Sequence, residues 1–289
     1  MKKHSYIYLM LSILFVFIFI ILWKKTNFYI QIKDIITGTK EDQNKVDKIE
    51  KKSYLITKKE HLLPEEKEIF KLAIIIDDIG FSIEPVYSLL EIKEPITFSI
   101  LPFQRYSEKV ANLLKENNKE IMLHLPMESN NFKGDSENDN GTILMSMDEF
   151  EISNLVEKAI NSIPYTKGVN NHKGSKITEN ENSMRIILRV IKEKNLFFID
   201  SKTSSYSIAN QIAVEMGIPS LSSDLFIDNI QTEDHIKSQI FKVVEIAKKK
   251  KKAIGIGHPY ETTINVLKEI LPKIKDYGIT LIFVSDLLK

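Results

Sequence analysis

The chain has 289 residues, 43% of them apolar, and its 40 Lys and Arg nearly balance its 39 Asp and Glu, for a net charge of +1. That is enough chain for one large domain with appendages, and the charge balance provides no basic field to hold nucleic acid. The absence of cysteine excludes disulfides, thiolate metal sites and cysteine nucleophiles, so a metal centre would have to use His, Asp or Glu.

The first element in chain order is an apolar run. From Tyr6 to Trp23 there is no charge, and about 18 such residues approach the roughly 20 needed to cross a bilayer. No small-residue cleavage pattern follows Trp23, so the run reads as an uncleaved N-terminal transmembrane helix within residues 1–25. Lys2 and Lys3 precede it and Lys24 and Lys25 follow it, a near tie under the positive-inside rule. The expected localisation is membrane-anchored, with the domain on the extracytoplasmic side, periplasmic or at the cell surface. Residues 26–69 alternate charge and polarity without a period and read as a spacer.

From Lys71 onward, short β-branched runs alternate with amphipathic stretches. The runs are LAIII (72–76), ITFSIL (96–101), EIMLHL (120–125), KGVN (167–170), LFFID (196–200), a weak GIPSL (217–221), AIGIG (253–257) and ITLIFV (279–284). Helix-like segments lie between them, such as residues 105–118, 147–163, 177–195 and 234–252. This rhythm predicts an α/β domain over 70–289 with about seven mostly parallel strands, open or closed to a barrel. In such folds, sites form where strands end and helices begin.

The polar residues at those strand ends are therefore the candidates. The first strand ends in Asp77 and Asp78, adjacent carboxylates expected to point to different sides; one of them could cap the next helix. The third carries His124 and ends in Glu128. The fourth ends in GVNNHKGS, with Asn170, Asn171, His172 and Ser175 between and beside two glycines. It reads as a loop whose glycines admit a ligand close to the backbone. The fifth ends in Asp200, and the seventh in His258 followed by Pro259. Three of the six histidines sit at these ends. Two His plus a carboxylate, with a spare carboxylate and a spare His, is the inventory of a hydrolytic zinc-type site. The run Lys248–Lys252 reads as a solvated helix end favoured by the helix dipole.

The ordered segments AIIIDDIG, ITFSILPF, IMLHLPMES, GTILMSM, GVNNHKGS, LFFIDSKTS, FIDN and AIGIGHP resemble the divergent polysaccharide deacetylase family. The resemblance implies a distorted (β/α) barrel that removes acetyl groups from an N-acetylated polysaccharide with a divalent metal such as Zn²⁺. It implies Asp77 as base, Asp78, His124 and His172 as metal ligands, and His258 as acid, with His258 or Asp200 open as an alternative ligand. In the expected mechanism Asp200 orients His258. Asn170, Asn171, Glu128 and Ser175 are expected to face the sugar. The superfamily's H-x-x-x-H pair is absent, Lys173 stands where Met is usual, and SSDLFIDN lacks an expected Arg. Asp224 and Asp228 are left there as substrate or supporting groups. The competing expectations are a catalytically silent glycan binder and an envelope scaffold.

Overall fold

The structure, a computed structural model, describes residues 69–133 and 141–289. These lie in a compact unit spanning Glu68–Lys289. The expected membrane helix, and the expected spacer apart from Ile69, lie outside the described residues. Among the described residues, no helix is long and apolar enough to cross a membrane.

Strand β1 (Phe70–Ile79) is the longest strand of the sheet among the described residues. Its residues Leu72 to Ile76 are fully buried, as expected of a strand covered on both faces in a parallel sheet. The other strands are β2 (Thr97–Ile100), β3 (Glu120–Met127), β4 (Gly168–Lys173), β5 (Phe197–Asp200), β6 (Ser220–Ser222), β7 (Leu225–Phe226), β8 (Lys252–Gly257) and β9 (Ile279–Leu281). The helices between them are α1 (Glu84–Leu90), α2 (Ser107–Glu116), α3 (Glu149–Ser162), α4 (Glu181–Glu193), α5 (Ala209–Glu215), α6 (Glu233–Lys250) and α7 (Glu261–Ile270). The sheet order is β6-β5-β4-β3-β2-β1-β8-β7, with β9 beside the start of β1, and the ladders are parallel.

The two ends of that path are β6 and β7, which only Ser223 and Asp224 separate in sequence. Three Cα steps span at most about 11 Å, so the ends must meet and the sheet must curl. The Ser223 amide donates to Asp200 O on one side, and the Asp224 amide donates to Ile254 O on the other, both at 2.9 Å. The Asp224 carboxylate also accepts from the Ile254 amide and from Lys250. Asp224 is therefore a structural tie of the seam. The curled path has eight strands rather than about seven. The additional one, Leu225–Phe226, is too short to leave a hydrophobic period.

Two apolar clusters hold the unit together. One lies between the sheet and the helices. The other fills the inside of the curl with Ala73, Ile75, Met122, Phe197, Ile199, Ile254 and Ile256. Val284 and Leu287 close that inner cluster at the strands' N-terminal end. Residues 284–287 form a 3₁₀ turn, so the expected last strand ends early, at Leu281. Side-chain caps set the starts of two helices. Asp148 and Glu151 form a reciprocal box at α3, and Asn180 accepts from the Ser183 amide at α4. With the inner curl full of side chains, chemistry is left to the strands' C-terminal end.

Candidate metal centre

The two carboxylates of β1 do not point apart. Pairing between β1 and β2 shifts register between Ile76 and Ile79, and Asp78 sits in the left-handed region at φ 57°. This bulge breaks the two-residue alternation and turns both Asp77 and Asp78 toward the same group of histidines. Asp is among the residues that tolerate this backbone conformation.

GVNNHKGS is not a loop. Its first six residues are β4 itself. Alternation then sends Asn170 and His172 to the site side and Asn171 the other way. The flanking glycines serve packing, not close approach of a ligand. A Cβ on Gly168 would meet the Phe197 ring at 2.2 Å, and one on Gly174, at φ +85°, would meet Met127 at 2.8 Å.

Three donor atoms form the centre. His172 Nδ1 lies 2.9 Å from Asp78 Oδ1, His124 Nε2 lies 3.2 Å from the same oxygen, and the two nitrogens are 3.1 Å apart. Donors held at 2.0–2.1 Å by a tetrahedral ion stand roughly 3.3 Å from one another. Asp78 Oδ1 is buried and close to both nitrogens, yet it satisfies hydrogen-bond geometry with neither. His172 Nε2 is also buried without a hydrogen-bond partner. An oxygen and two imidazole nitrogens with an orphaned buried carboxylate oxygen fit a divalent cation of the zinc type. Among the described residues, these three alone form such a ligand cluster.

Asn170 organises the centre. It is fully buried. Its Nδ2 donates to Asp77 Oδ1 at 2.9 Å and Oδ2 at 3.2 Å, and to Ser201 Oγ at 3.0 Å. Its Oδ1 faces His124 Nδ1 at 2.9 Å and accepts from Ser99 Oγ. Because a carboxylate only accepts, the amide orientation is fixed, and His124 must carry its proton on Nδ1 to bond Oδ1. The Nε2 lone pair is thereby aimed at Asp78 and His172, the arrangement that outer hydrogen bonds impose on ligating histidines. Asn170 is thus sealed behind the site and does not line a sugar pocket.

Electrostatics separate the carboxylates. Burial raises the pKa of Asp77 above the usual range, against the pull of His124 and His258. Burial also works against ionised Asp78, but the His124 and His172 rings beside it hold its carboxyl far below the usual range. Burial disfavours charged His124, yet Asp77 and Asp78 outweigh it and raise the ring's pKa. The position thus favours a cation. Burial lowers the pKa of His172 toward the neutral form that ligates metal.

His258 follows β8, and its Nε2 lies 4.0 Å from Asp78 Oδ2. Asp228, just after β7, holds it. Asp228 Oδ1 meets His258 Nδ1 at 2.9 Å, and Oδ2 accepts from the His258 amide at 2.6 Å and Thr263 Oγ1 at 2.8 Å. Burial opposes protonation of His258, but the Asp228 hydrogen bond and charge push its pKa up to about 9.

Four other expected site residues make contacts of their own. Asp200 does not orient His258; its carboxylate accepts from Ser207 Oγ and the Lys202 amide and so fastens its own loop. Asn171 is buried against the Ser201 amide, Lys173 O and Thr203. Glu128 holds the Met145 amide at 2.6 Å and pairs with Lys176. Ser175 accepts from the Asn130 amide at 3.0 Å. These contacts brace loops at the rim. Ser99 went unselected in the sequence, although a hydroxyl inside ITFSIL was a legible anomaly. Asp228 stood out only as one acid in FIDN, since its pairing with His258 exists through space alone.

Comparison with known proteins gives consistent matches. The family model "divergent polysaccharide deacetylase" matches residues 74–288. The uncharacterized protein YibQ of Escherichia coli K12 is 31% identical over 218 residues, 75% of this chain and 67% of that protein. An uncharacterized Haemophilus influenzae protein is 31% identical over 198 residues, 68% of this chain and 70% of its own. The crystal structure of the uncharacterized protein ATU2773 from Agrobacterium tumefaciens C58 shares the fold. It has a TM-score of 0.73 at 20% identity, covering 77% of this chain and 91% of that one.

Proposed function

This chain belongs to the divergent polysaccharide deacetylase family, and on that premise we propose that it is a metal-dependent hydrolase removing N-acetyl groups from a cell-envelope or extracellular polysaccharide. The observation that carries the reading is the convergence of Asp78 Oδ1, His124 Nε2 and His172 Nδ1 within 3.2 Å of one another, beside a braced carboxylate and a braced imidazole.

Asp78, His124 and His172 would hold the ion. When bound, a divalent cation of this kind acidifies water and polarises a carbonyl oxygen. Asp77 is the base. Its raised pKa brings it nearer the pH at which a carboxylate accepts a proton efficiently, and Asn170 fixes both its oxygens. Asp77 takes the proton of the attacking water as oxygen adds to the acetamide carbon. His258, protonated at neutral pH and held by Asp228, gives its proton to the nitrogen as the C–N bond breaks. The products are acetate and a free amine. The run Tyr6–Trp23 would tether the domain to a membrane, with the catalytic face toward extracytoplasmic glycan.

The test is elemental analysis of the purified protein beside His172→Ala, followed by an acetate-release assay on N-acetylated glycan oligomers. One transition metal per chain, lost in the variant, with acetate release is the expected result. Metal without release from any glycan would move the reading to a silent glycan binder. No metal in either protein after zinc reconstitution would end the hydrolase reading.

A further inference from the structure

We propose that the end of the barrel opposite the metal centre rests on a lipid surface bearing anionic headgroups. The N-termini of the strands gather at this end. A cleft of about 450 Å³ opens there, with Leu196, Phe197 and Leu288 among its apolar walls, and with Lys167, Lys192 and Lys289 around it. No Asp or Glu lines it. Lys192 is exposed and donates to a neutral carbonyl, Met216 O, at 2.7 Å, so its charge is not cancelled there. Lys167 is 60% exposed, and its acidic neighbour at 3.7 Å, Glu120, is fully buried. Lys289 pairs with Asp286. A second cleft, bounded by Leu287, adds Lys252 beside Leu221, while Lys250 there is paired with Asp224 at 2.7 Å.

An apolar hollow ringed by lysines matches an interface with acyl chains below and phosphates above. The way the chain enters selects lipid over other anions. β1 begins at this end, Ile69 just before it is 62% exposed, and Lys71 is exposed beside it. The chain that arrives here carries, in its sequence, the uncharged run Tyr6–Trp23. The consequence is orientation, with the metal centre directed away from the bilayer toward polymer. This inference does not depend on the chain being an active deacetylase.

The native chain has no cysteine, so single labels are unambiguous. Asn195→Cys marks the lysine end, and Tyr206→Cys, at a residue 78% exposed after β5, marks the other. Each full-length variant is labelled with an environment-sensitive fluorophore and reconstituted in phosphatidylcholine vesicles with and without phosphatidylglycerol. The expected result is a blue shift at position 195 in anionic vesicles only. It should be reversed by salt and lost when Lys167, Lys192 and Lys289 are all changed to Gln, with position 206 silent throughout. Salt reversal in the unsubstituted protein stands whether or not the triple variant folds. Equal signals at both positions, or a shift indifferent to phosphatidylglycerol, would overturn the proposal. A shift that grows with protein concentration without vesicles would assign the face to a second copy instead.

Discussion

At the scale of single residues, the His258–Asp228 pair makes a pH-dependent claim. The ring's pKa stands at about 9 in the folded protein, against about 6.5 for an unperturbed histidine. A group whose pKa rises on folding contributes stability fully present below the unfolded value. That contribution is lost as pH rises through the folded one. Asp228→Asn removes the principal raising cause while keeping an acceptor for Thr263. We expect the substitution to cost about 1.5–3 kcal/mol at pH 6, in the range of hydrogen bonds to charged groups. The cost should shrink above pH 9. Urea denaturation of both proteins at pH 6 and pH 9.5 measures it, and a difference independent of pH would remove the pair's assigned role. The same residue explains a limit of sequence reading. His258 was legible because an apolar strand ended on it. Its partner lies 30 positions away, after a two-residue strand, where no local pattern marks the contact.

At the scale of elements, β4 and the end of β1 decide the site. The apolar strands from β1 to β5 and β8 could be read from β-branched runs, because burial on both faces imposes them. The second half of β4 could not. Asn170, Asn171 and His172 are polar, yet fully or nearly buried, because one face of that strand meets the ligand cluster and the other meets the backbone after β5. The polar content that suggested a loop is a strand satisfying a polar interior. The β1 bulge was equally hidden, since two adjacent Asp residues imply opposite faces until a left-handed residue intervenes. Gly168 tests this account of β4. If it exists to seat Phe197, then Gly168→Ala forces a clash with a ring that is itself buried, and overpacking of that kind costs about 1–3 kcal/mol. Shortening the ring in a Gly168→Ala/Phe197→Leu double variant should recover part of the loss. The double-variant cycle measures the coupling. Strictly additive costs would show that the glycine serves something other than this contact.

At the scale of the whole molecule, the ligands bind distant parts of the chain together. Asp78, His124 and His172 come from β1, β3 and β4, separated by more than forty residues at each step. The unfolded chain offers no such cluster, so ion binding must favour the folded state. At a free ion concentration one hundred times Kd, the linkage is worth about 2.7 kcal/mol. For a domain of this size each kcal/mol moves Tm by roughly 2–4 °C, so zinc should raise Tm by roughly 5–10 °C. A chelator should reverse the rise, and His172→Ala should abolish it. Acid should also diminish it, because Asp77 and Asp78 favour a proton on His124 and that proton competes with the metal. Calorimetric scans at pH 7.5 and pH 5, with and without zinc, separate these effects. An equal zinc-induced rise in the parent and His172→Ala would place the ion elsewhere and leave the buried Asp78 oxygen without its explanation.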